Sequence, residues 1–576
     1  MFKVYDRLQP LGITLSHQGL LDTMTSISGS FNSKLIDSLK RGKKFRIVGD
    51  NINFHMGVAQ MRKSEGKVSH MEHWFGSAAI IQNISFPDFK NDEPQCDLRH
   101  LPTEMFILNN EDWQNITYNF SILCSRVLVD FFPWLKKATS SVNQQIADVP
   151  SAMKVKNEVI PLPVMHKNEQ SYPEVVDILA SYQEMCENTC KAAGKDIDKV
   201  HIGGDQLTRE RFSGAKRLRA AALTETERLE ALFPITFELF HLQMAVLALF
   251  YQILYDENHT EMFTLHSQRI RLLRKDANGN DVKNHFDSCK ELATSVIKGY
   301  LVQAACEKFE MPDVEFKPDF VPELDTMTDE QKKEWLISKV SPIICQVTAT
   351  SRNVIDGNLD EDPSPDTIFN YSNILVELGL VFLELCDIVK NPNRQRLITC
   401  MKYLMIIMKS HNNKSKYALE ILRFLCQQFA LLNERSASEV VYGLFVNTGN
   451  TIIPADLQME HLVKLTKGHL RSMCSNVTDS SLVKRSSTFY GMNEISQVFD
   501  KETGVTMRAQ KHKHISSKED EIRIISDLKS IQPFTKVPGR QATGFKKHPK
   551  HPLTKLNVLD FIKWIKGYQY KFFYEL

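Results

Sequence analysis

Residues 200–206 read VHIGGDQ, and a related stretch, FRIVGDN, occupies residues 45–51. In both, an apolar run typical of a buried β-strand leads to glycine and then to aspartate. We expect each glycine to allow a sharp exit from its strand, so that Asp50 and Asp205 lie at one edge of a sheet. Because carboxylates at a common edge can share divalent cations, the pattern predicts the start of a two-metal phosphodiester-cleaving site.

The composition is that of an ordinary globular protein with more than one domain. The chain has 576 residues, of which 42% are hydrophobic and 24% charged, and its formal net charge is +2. This length exceeds what a single core usually holds. The near-neutral charge provides no global attraction for nucleic acid, so such contacts would have to come from local basic patches. Eleven dispersed cysteines indicate reduced thiols.

The sequence also limits the compartment and the reaction class. The opening residues, MFKVYD, contain neither a basic leader nor a long apolar stretch, so we expect a nuclear or cytoplasmic protein that is not secreted. The most apolar segment, residues 233–255, contains Glu238, His241 and Gln243, and we interpret it as a buried helix, with no membrane partner. P-loop and Gly-x-Ser-x-Gly motifs are absent, which argues against an ATPase and the usual esterases.

Periodicity and composition divide the chain into five segments and predict an α/β fold with a large all-α part. The segments are a helical lead-in (1–44), the first part of an α/β core (45–256), a helical insertion (257–435), a late core segment with a third acidic residue (436–504), and a basic tail ending in an aromatic helix (505–576).

The third acidic position lies in a helix predicted to begin near Pro454. Asp456 and Glu460 are four residues apart and therefore share one helix face. Either could complete a carboxylate set with Asp50 and Asp205. Each of these acids also has an ordinary structural explanation, because aspartate is common in turns and at helix N-termini.

A helix is predicted directly after Asp205, over about residues 207–231, and its first part, residues 208–219 (TRERFSGAKRLR), is strongly basic. Arg209 and Lys216 are seven residues apart and share a face, so a phosphate backbone could bind there. A solvated face balanced by nearby acids is the alternative. The candidate nucleic-acid contacts are Arg209, Arg211, Lys216 and Arg217.

Three motifs together resemble a known family. GDN at residues 49–51, GGDQLT at 203–208 and DLQMEHL at 456–462 resemble a eukaryotic domain-of-unknown-function family that is present in many copies in invertebrate and fungal genomes. Its members resemble cut-and-paste transposases. The resemblance covers about residues 11–566, although many relatives have histidine where this chain has Gln458.

This resemblance implies a ribonuclease-H-like (RNase-H-like) mixed sheet core interrupted by the helical insertion. Asp50 matches the acid of the first strand, Asp205 the acid after the fourth strand, and Glu460 the acid of the late helix, with Asp456 as the alternative. The implied protein is transposase-derived, with a DDE/D-type site that uses two Mg²⁺ or Mn²⁺ ions to cleave and transfer DNA strands.

Two other functions remain open from the sequence. One is a nucleic-acid-binding or interaction protein that retains the fold without catalysis. The other is a helical scaffold with no nucleic-acid role, and the near-neutral net charge favours this interpretation. DNA is the expected partner in the leading interpretation, and homo-oligomerisation is left open.

Overall fold

The computed structural model describes residues 7–28, 31–56, 70–358, 363–411, 415–473, 485–486, 488, 498–504, 516–542 and 550–573. The strands are β1 (Phe45–Met56), β2 (His70–Ile81), β3 (Val159–Pro161), β4 (Val200–Gly204), β5 (Leu232–Phe237), β6 (Phe445–Asn447) and β7 (Ile452–Pro454). The helices are α1 (His17–Ser28), α2 (Phe31–Lys40), α3 (Asn110–Phe131), α4 (Thr139–Val142), α5 (Tyr172–Ala193), α6 (Gln206–Arg219), α7 (Leu239–Leu254), α8 (Leu265–Arg271), α9 (Phe286–Lys308), α10 (Asp329–Val347), α11 (Ala349–Ile355), α12 (Thr367–Lys390), α13 (Arg394–Ser410), α14 (Ser415–Cys426), α15 (Glu434–Gly443), α16 (Ala455–Met473), α17 (Lys518–Lys529) and α18 (Val558–Phe573). The predicted basic tail contains two basic runs, residues 511–514 and 546–551, of which 511–514 and 546–549 lie outside the described residues.

The chain forms two compact units, each made of three separate stretches. The sheet unit comprises residues 1–89, 150–241 and 435–511, and the helical unit comprises residues 90–149, 242–434 and 512–576. These limits differ from the five segments expected from the sequence, since residues 90–149 and the tail group with the helical stretch. Residues 90–149 are joined to the rest of the helical unit by polar as well as apolar contacts. For example, the buried Asp112 of α3 accepts a hydrogen bond from Lys402 Nζ of α13 at 2.9 Å.

A five-stranded mixed sheet, in the order β3-β2-β1-β4-β5, organises the sheet unit. β1 pairs antiparallel with β2 and parallel with β4, and β4 pairs parallel with β5. Helices account for 60% of the structure. The predicted α/β fold with a large helical part is therefore confirmed at this coarse level.

β1 shows that the glycine at position 49 has a different role from the one expected. The strand continues through Gly49 and Asp50 to Met56, so the predicted exit at this point is wrong. A Cβ atom on Gly49 would lie 2.6 Å from Phe75 Cε1 and 3.0 Å from Tyr182 Oη. Glycine is needed there because two large buried side chains pack directly on the strand.

The alternation along β1 assigns its side chains to two cores. Phe45 and Ile47 pack on the face covered by α5 and α6. Val48 and Ile52 pack on the opposite face, against residues of α16 such as Met459. Because successive strand residues point to opposite faces, Asp50 lies on the face with Val48 and Ile52, next to α16.

The segment 233–255 is not one helix. Its first part is β5 (Leu232–Phe237), the outer strand beside β4, and α7 begins only at Leu239. Pro234 is compatible with a strand at the sheet edge, and Ile235 and Thr236 are β-branched, which favours extended backbone. The predicted helix is therefore confirmed for its second part and wrong for its first.

Buried polar clusters join distant helices within the helical unit. Glu377 of α12 accepts hydrogen bonds from Ser351 and Tyr403, and its Oε2 lies 2.8 Å from His551 Nε2. Each buried donor thereby has a carboxylate acceptor. Across the described residues, none of the helices has the combined length and apolarity that crossing a bilayer requires.

Candidate functional site

Asp205 joins the end of β4 to the start of α6. Its Oδ1 accepts a hydrogen bond from Thr208 N at 2.7 Å and so caps the helix. The preceding Gly203 makes room for a buried ion pair, because a Cβ there would lie 1.9 Å from Glu238 Oε1 and 2.3 Å from Arg46 Nη2. The predicted strand before Asp205 is confirmed. Gly203, however, is needed because the buried ion pair packs closely against it, and not because the chain turns there.

Asp50 lies within β1, where other acidic side chains act on it. Burial raises the pKa of Asp50, and the negative charges of Glu460 and Asp205 raise it further, while His241 lowers it. Glu460 of α16 and Asp205 at the end of β4 are therefore near enough to Asp50 of β1 to act on its pKa. These are the three acids selected from the sequence.

Asp456, the alternative third acid, is occupied by hydrogen bonds. Its side chain is 5% exposed, and it accepts from Phe240 N and His241 N, each at 3.0 Å. These two N–H groups belong to the first turn of α7, which has no internal acceptors for them. Asp456 thus fastens the start of α7, while Glu460, with 41% of its side chain exposed, lies one turn further along α16.

His241 lies between these acidic groups. Its Nδ1 is 2.9 Å from Asp456 Oδ2, and its Nε2 is 3.8 Å from Glu460 Oε1. Burial lowers the pKa of His241, but the hydrogen bond and charge of Asp456, with the charges of Asp205 and Asp50, outweigh this effect and raise it to about 9. These carboxylates therefore favour the protonated, cationic form of the imidazole.

Glu169 supports the site from the loop before α5. It is 1% exposed, accepts a hydrogen bond from Thr208 Oγ1 at 2.7 Å, and also accepts one from the Asn51 side-chain amide. Burial raises the pKa of Glu169, the bonds from Thr208 and Asn51 lower it, and the charge of Asp205 raises it. Asn51, which follows Asp50, and Thr208, which donates its N–H to Asp205, are thus tied to one buried carboxylate.

Sequence reasoning missed both His241 and Glu169. The signal available for His241 was a titratable side chain inside an otherwise apolar stretch, where a buried histidine needs a partner. No comparable signal marks Glu169, because its partners Asn51 and Thr208 are distant in sequence.

The basic residues of α6 divide into internal and exposed ones. Arg209 is buried and donates to Ser213 Oγ at 3.2 Å, and Lys216 Nζ donates to Leu232 O at 2.8 Å. Arg211 is half-buried and donates to the backbone carbonyl of Glu169. Only Arg217, of the four candidates, is exposed. Arg209 and Lys216 therefore do not present the phosphate-binding face expected from their spacing.

The acidic residues are not arranged as a finished metal cage. Among the described residues, no three His, Cys, Asp or Glu side chains are placed so that they could hold a metal ion as they stand. Asp456 in particular is already bound by the His241 ring and by the N–H groups of α7.

Comparison with protein families assigns the chain to a group. The model of a family of unknown function, DUF6589, matches residues 97–512. The chain belongs to the DUF6589 family. The region matched by the DUF6589 model contains Asp205, His241, Asp456 and Glu460, whereas Asp50 precedes it. Comparison of this DUF6589 protein with curated proteins and with solved structures gives no match.

Proposed function

We propose that the sheet unit is an RNase-H-like core whose acidic cluster binds divalent cations and cleaves DNA, the activity of a transposase-derived nuclease. The placement of the acids supports this proposal. Asp50 lies on the first strand, Asp205 follows the fourth, and Glu460 lies on a helix that comes after a long helical stretch. These are the positions that the motif resemblance implies.

The proposal depends on one relationship, the action of the Glu460 and Asp205 charges, which come from two other elements, on Asp50 of β1. Carboxylates collected in a partly buried place repel one another unless cations balance them. His241 supplies one positive charge near four acidic groups, counting Asp456. The remaining negative charge favours hard cations that take oxygen ligands.

Each residue has a separate role in this proposal. Asp50, Asp205 and Glu460 would hold Mg²⁺ or Mn²⁺, and the exposed side chain of Glu460 has room to turn towards an ion. Ions bound there would activate a water or hydroxyl nucleophile at neutral pH and stabilise the leaving oxygen. Asp456 and Glu169 are positioning residues, because they hold α7 and the neighbours of the ligands.

A DNA-binding or interaction protein that keeps the fold without catalysis is the second candidate. It is favoured by the position of His241, whose positive charge partly neutralises the acids in the absence of any ion. In this function the cluster would be a stabilised remnant of a metal site.

Nicking of supercoiled plasmid by the full chain distinguishes the two. We expect nicking in Mn²⁺ or Mg²⁺ that stops in EDTA and falls by about two orders of magnitude or more in Asp205→Asn, because a ligand carboxylate is lost. Asp196→Asn is the matched control, since Asp196 is an exposed carboxylate in the loop before β4.

Calorimetric titration of Mn²⁺ completes the test. Wild type and Asp196→Asn should bind the ion, and Asp205→Asn should not. Nicking that persists in Asp205→Asn contradicts the nuclease proposal. DNA binding without Mn²⁺ binding or nicking in the wild-type chain would instead support the second candidate.

A further inference from the structure

A second feature with recognisable chemistry lies in the helical unit, at the C-terminal end of α13 and the N-terminal part of α18. An open cavity of about 500 Å³ is found there, within the volume range of ligand sites. Its lining combines cations with aromatic rings and includes Lys409, His411, Lys555, Asp560, Phe561 and Trp564.

The aromatic part of the lining continues along α18 as a ladder. Phe561, Trp564, Tyr568 and Phe572 follow one another at helical spacing, with successive ring centroids 5.7, 5.5 and 5.6 Å apart. Phe561 and Phe572 are buried, whereas Trp564 and Tyr568 are half-buried. The ladder is thus anchored at both ends and reaches solvent at its two middle rings.

Positive charge accompanies the partly exposed rings. Lys409 Nζ lies 4.9 Å from the centroid of Trp564, and Lys571 Nζ lies 5.5 Å from that of Tyr568. Lys555, which also lines the cavity, is exposed. Among the described residues that line the cavity, Asp560 is the one carboxylate, and its Oδ1 lies 3.5 Å from Lys563 Nζ. The cavity therefore favours an anion that carries a flat, apolar face.

We infer that this cavity binds a segment of single-stranded nucleic acid. An unpaired base stacks on Trp564, and the adjoining phosphate contacts Lys409 and Lys555. Stacking of a base on an aromatic ring is stronger than an exposed cation–π contact, so a base displaces the ammonium of Lys409 from the ring. The displaced ammonium then pairs with the phosphate. A duplex does not fit this role, because its bases are already paired and stacked.

The inference is independent of the acidic cluster, which lies in the sheet unit. Binding is therefore measured on the full chain carrying Asp205→Asn, so that any nuclease activity does not consume the probe. The probe is a fluorescein-labelled oligothymidylate of about 20 nucleotides, longer than most single-module sites. Fluorescence anisotropy over a range of salt concentrations gives both the Kd and its salt dependence.

Two variants test the two parts of the site, and a third is the control. Trp564→Leu should raise the Kd by about 5- to 150-fold, the effect of losing one stacked base. Lys409→Gln should make the slope of log K against log salt shallower by about 0.7, the value for one phosphate contact on a single strand. Lys566→Gln, at an exposed position of the same helix outside the cavity, should change neither quantity.

Competition experiments distinguish single-stranded DNA, RNA, duplex and simple polyanions as ligands of the cavity. Unlabelled oligothymidylate and oligouridylate should both compete, and a preference for either supports the site while telling DNA from RNA. A hairpin duplex and inorganic polyphosphate should compete weakly. Wild-type affinity in folded Trp564→Leu, equal losses in Lys409→Gln and Lys566→Gln, or polyphosphate binding as tight as the oligonucleotide would overturn the inference. If Trp564→Leu does not fold, the comparison of Lys409→Gln with Lys566→Gln still tests whether the cavity binds the oligonucleotide.

Discussion

His241 binds the carboxylate of Asp456 twice, since its backbone N and its ring Nδ1 lie 3.0 and 2.9 Å from Asp456 Oδ2. The other carboxylate oxygen accepts from Phe240 N at 3.0 Å. One side chain of α16 therefore holds the beginning of α7, and this explains why two acids one turn apart have different environments. Asp456 is an anchor, and Glu460 is the acid whose charge acts on Asp50.

We expect this division of roles to appear in stability. Asp456→Ala should lower the free energy of unfolding by about 1–3 kcal/mol, because two N–H groups of a helix start and an imidazolium lose their acceptor. Glu460→Gln should change it by less than about 0.5 kcal/mol, as is usual for a partly exposed side chain. Urea unfolding of the two variants measures both. Similar losses in both would contradict the assignment of Asp456 as the anchor.

His241→Gln should strengthen the binding of Mn²⁺. Glutamine removes a positive charge that repels the ion but keeps an amide donor for Asp456. The measurement is the rise in melting temperature on adding Mn²⁺, which grows with the affinity for the folded state. Mg²⁺ should give a smaller rise of the same kind.

The control for this prediction is His259→Gln, a histidine of the helical unit. It should leave the Mn²⁺-induced rise unchanged. A smaller rise in His241→Gln than in wild type would show instead that the imidazole is itself a ligand of the ion.

Gly49→Ala should destabilise the protein by about 1–3 kcal/mol. The new methyl group would lie 2.6 Å from Phe75 Cζ, and Phe75 is fully buried, so the core must shift to accept it. Gly468→Ala is a useful comparison, because nothing lies within 4 Å of a Cβ at that exposed position of α16. Alanine there should stabilise by about 0.5–1 kcal/mol through helix propensity. Thermal unfolding that ranks the two variants the other way would refute the packing explanation.

Lys216 should make stability depend on alkaline pH. Burial lowers the pKa of Lys216 to about 8, so between pH 8 and about 10.5 the unfolded chain binds more protons than the folded one. Stability attributable to this group is therefore lowest below pH 8 and rises as the lysine loses its proton. Relative to Lys216→Met, the wild type should gain about 1–2 kcal/mol between pH 8 and 10. Urea unfolding at several pH values checks this, and a pH-independent difference would show that the pKa is not lowered.

The sequence was informative where a local pattern has a single physical meaning. The apolar run before Asp205 indicated a short buried strand, and Pro454 together with helical periodicity indicated the helix that follows it. It was uninformative where a residue's role depends on distant partners. Gly49 has no turn to make because Phe75 and Tyr182 pack against it.

The spacing of basic residues on α6 gave a wrong expectation of an exposed phosphate-binding face, for a related reason. The periodicity of Arg209 and Lys216 shows that they share a face, but a charged face is not thereby exposed. The Lys216 ammonium donates to the carbonyl of Leu232, the first residue of β5, and this arrangement depends on a strand found later in the chain. The same limit applies to His241, whose carboxylate partners lie on other elements.

The assembly of the acidic cluster from β1, the end of β4 and α16 also sets when it can exist during translation. Every strand of the large sheet has left the ribosome by Phe237, whereas Glu460 emerges only after the long helical stretch has been made. A nascent chain, or a product truncated before α16, therefore contains the strand segments without the last acidic residue and without the helix that packs on that face of the sheet. Under the proposed function, an unfinished polypeptide is harmless to the genome simply because of the order in which its parts are synthesised.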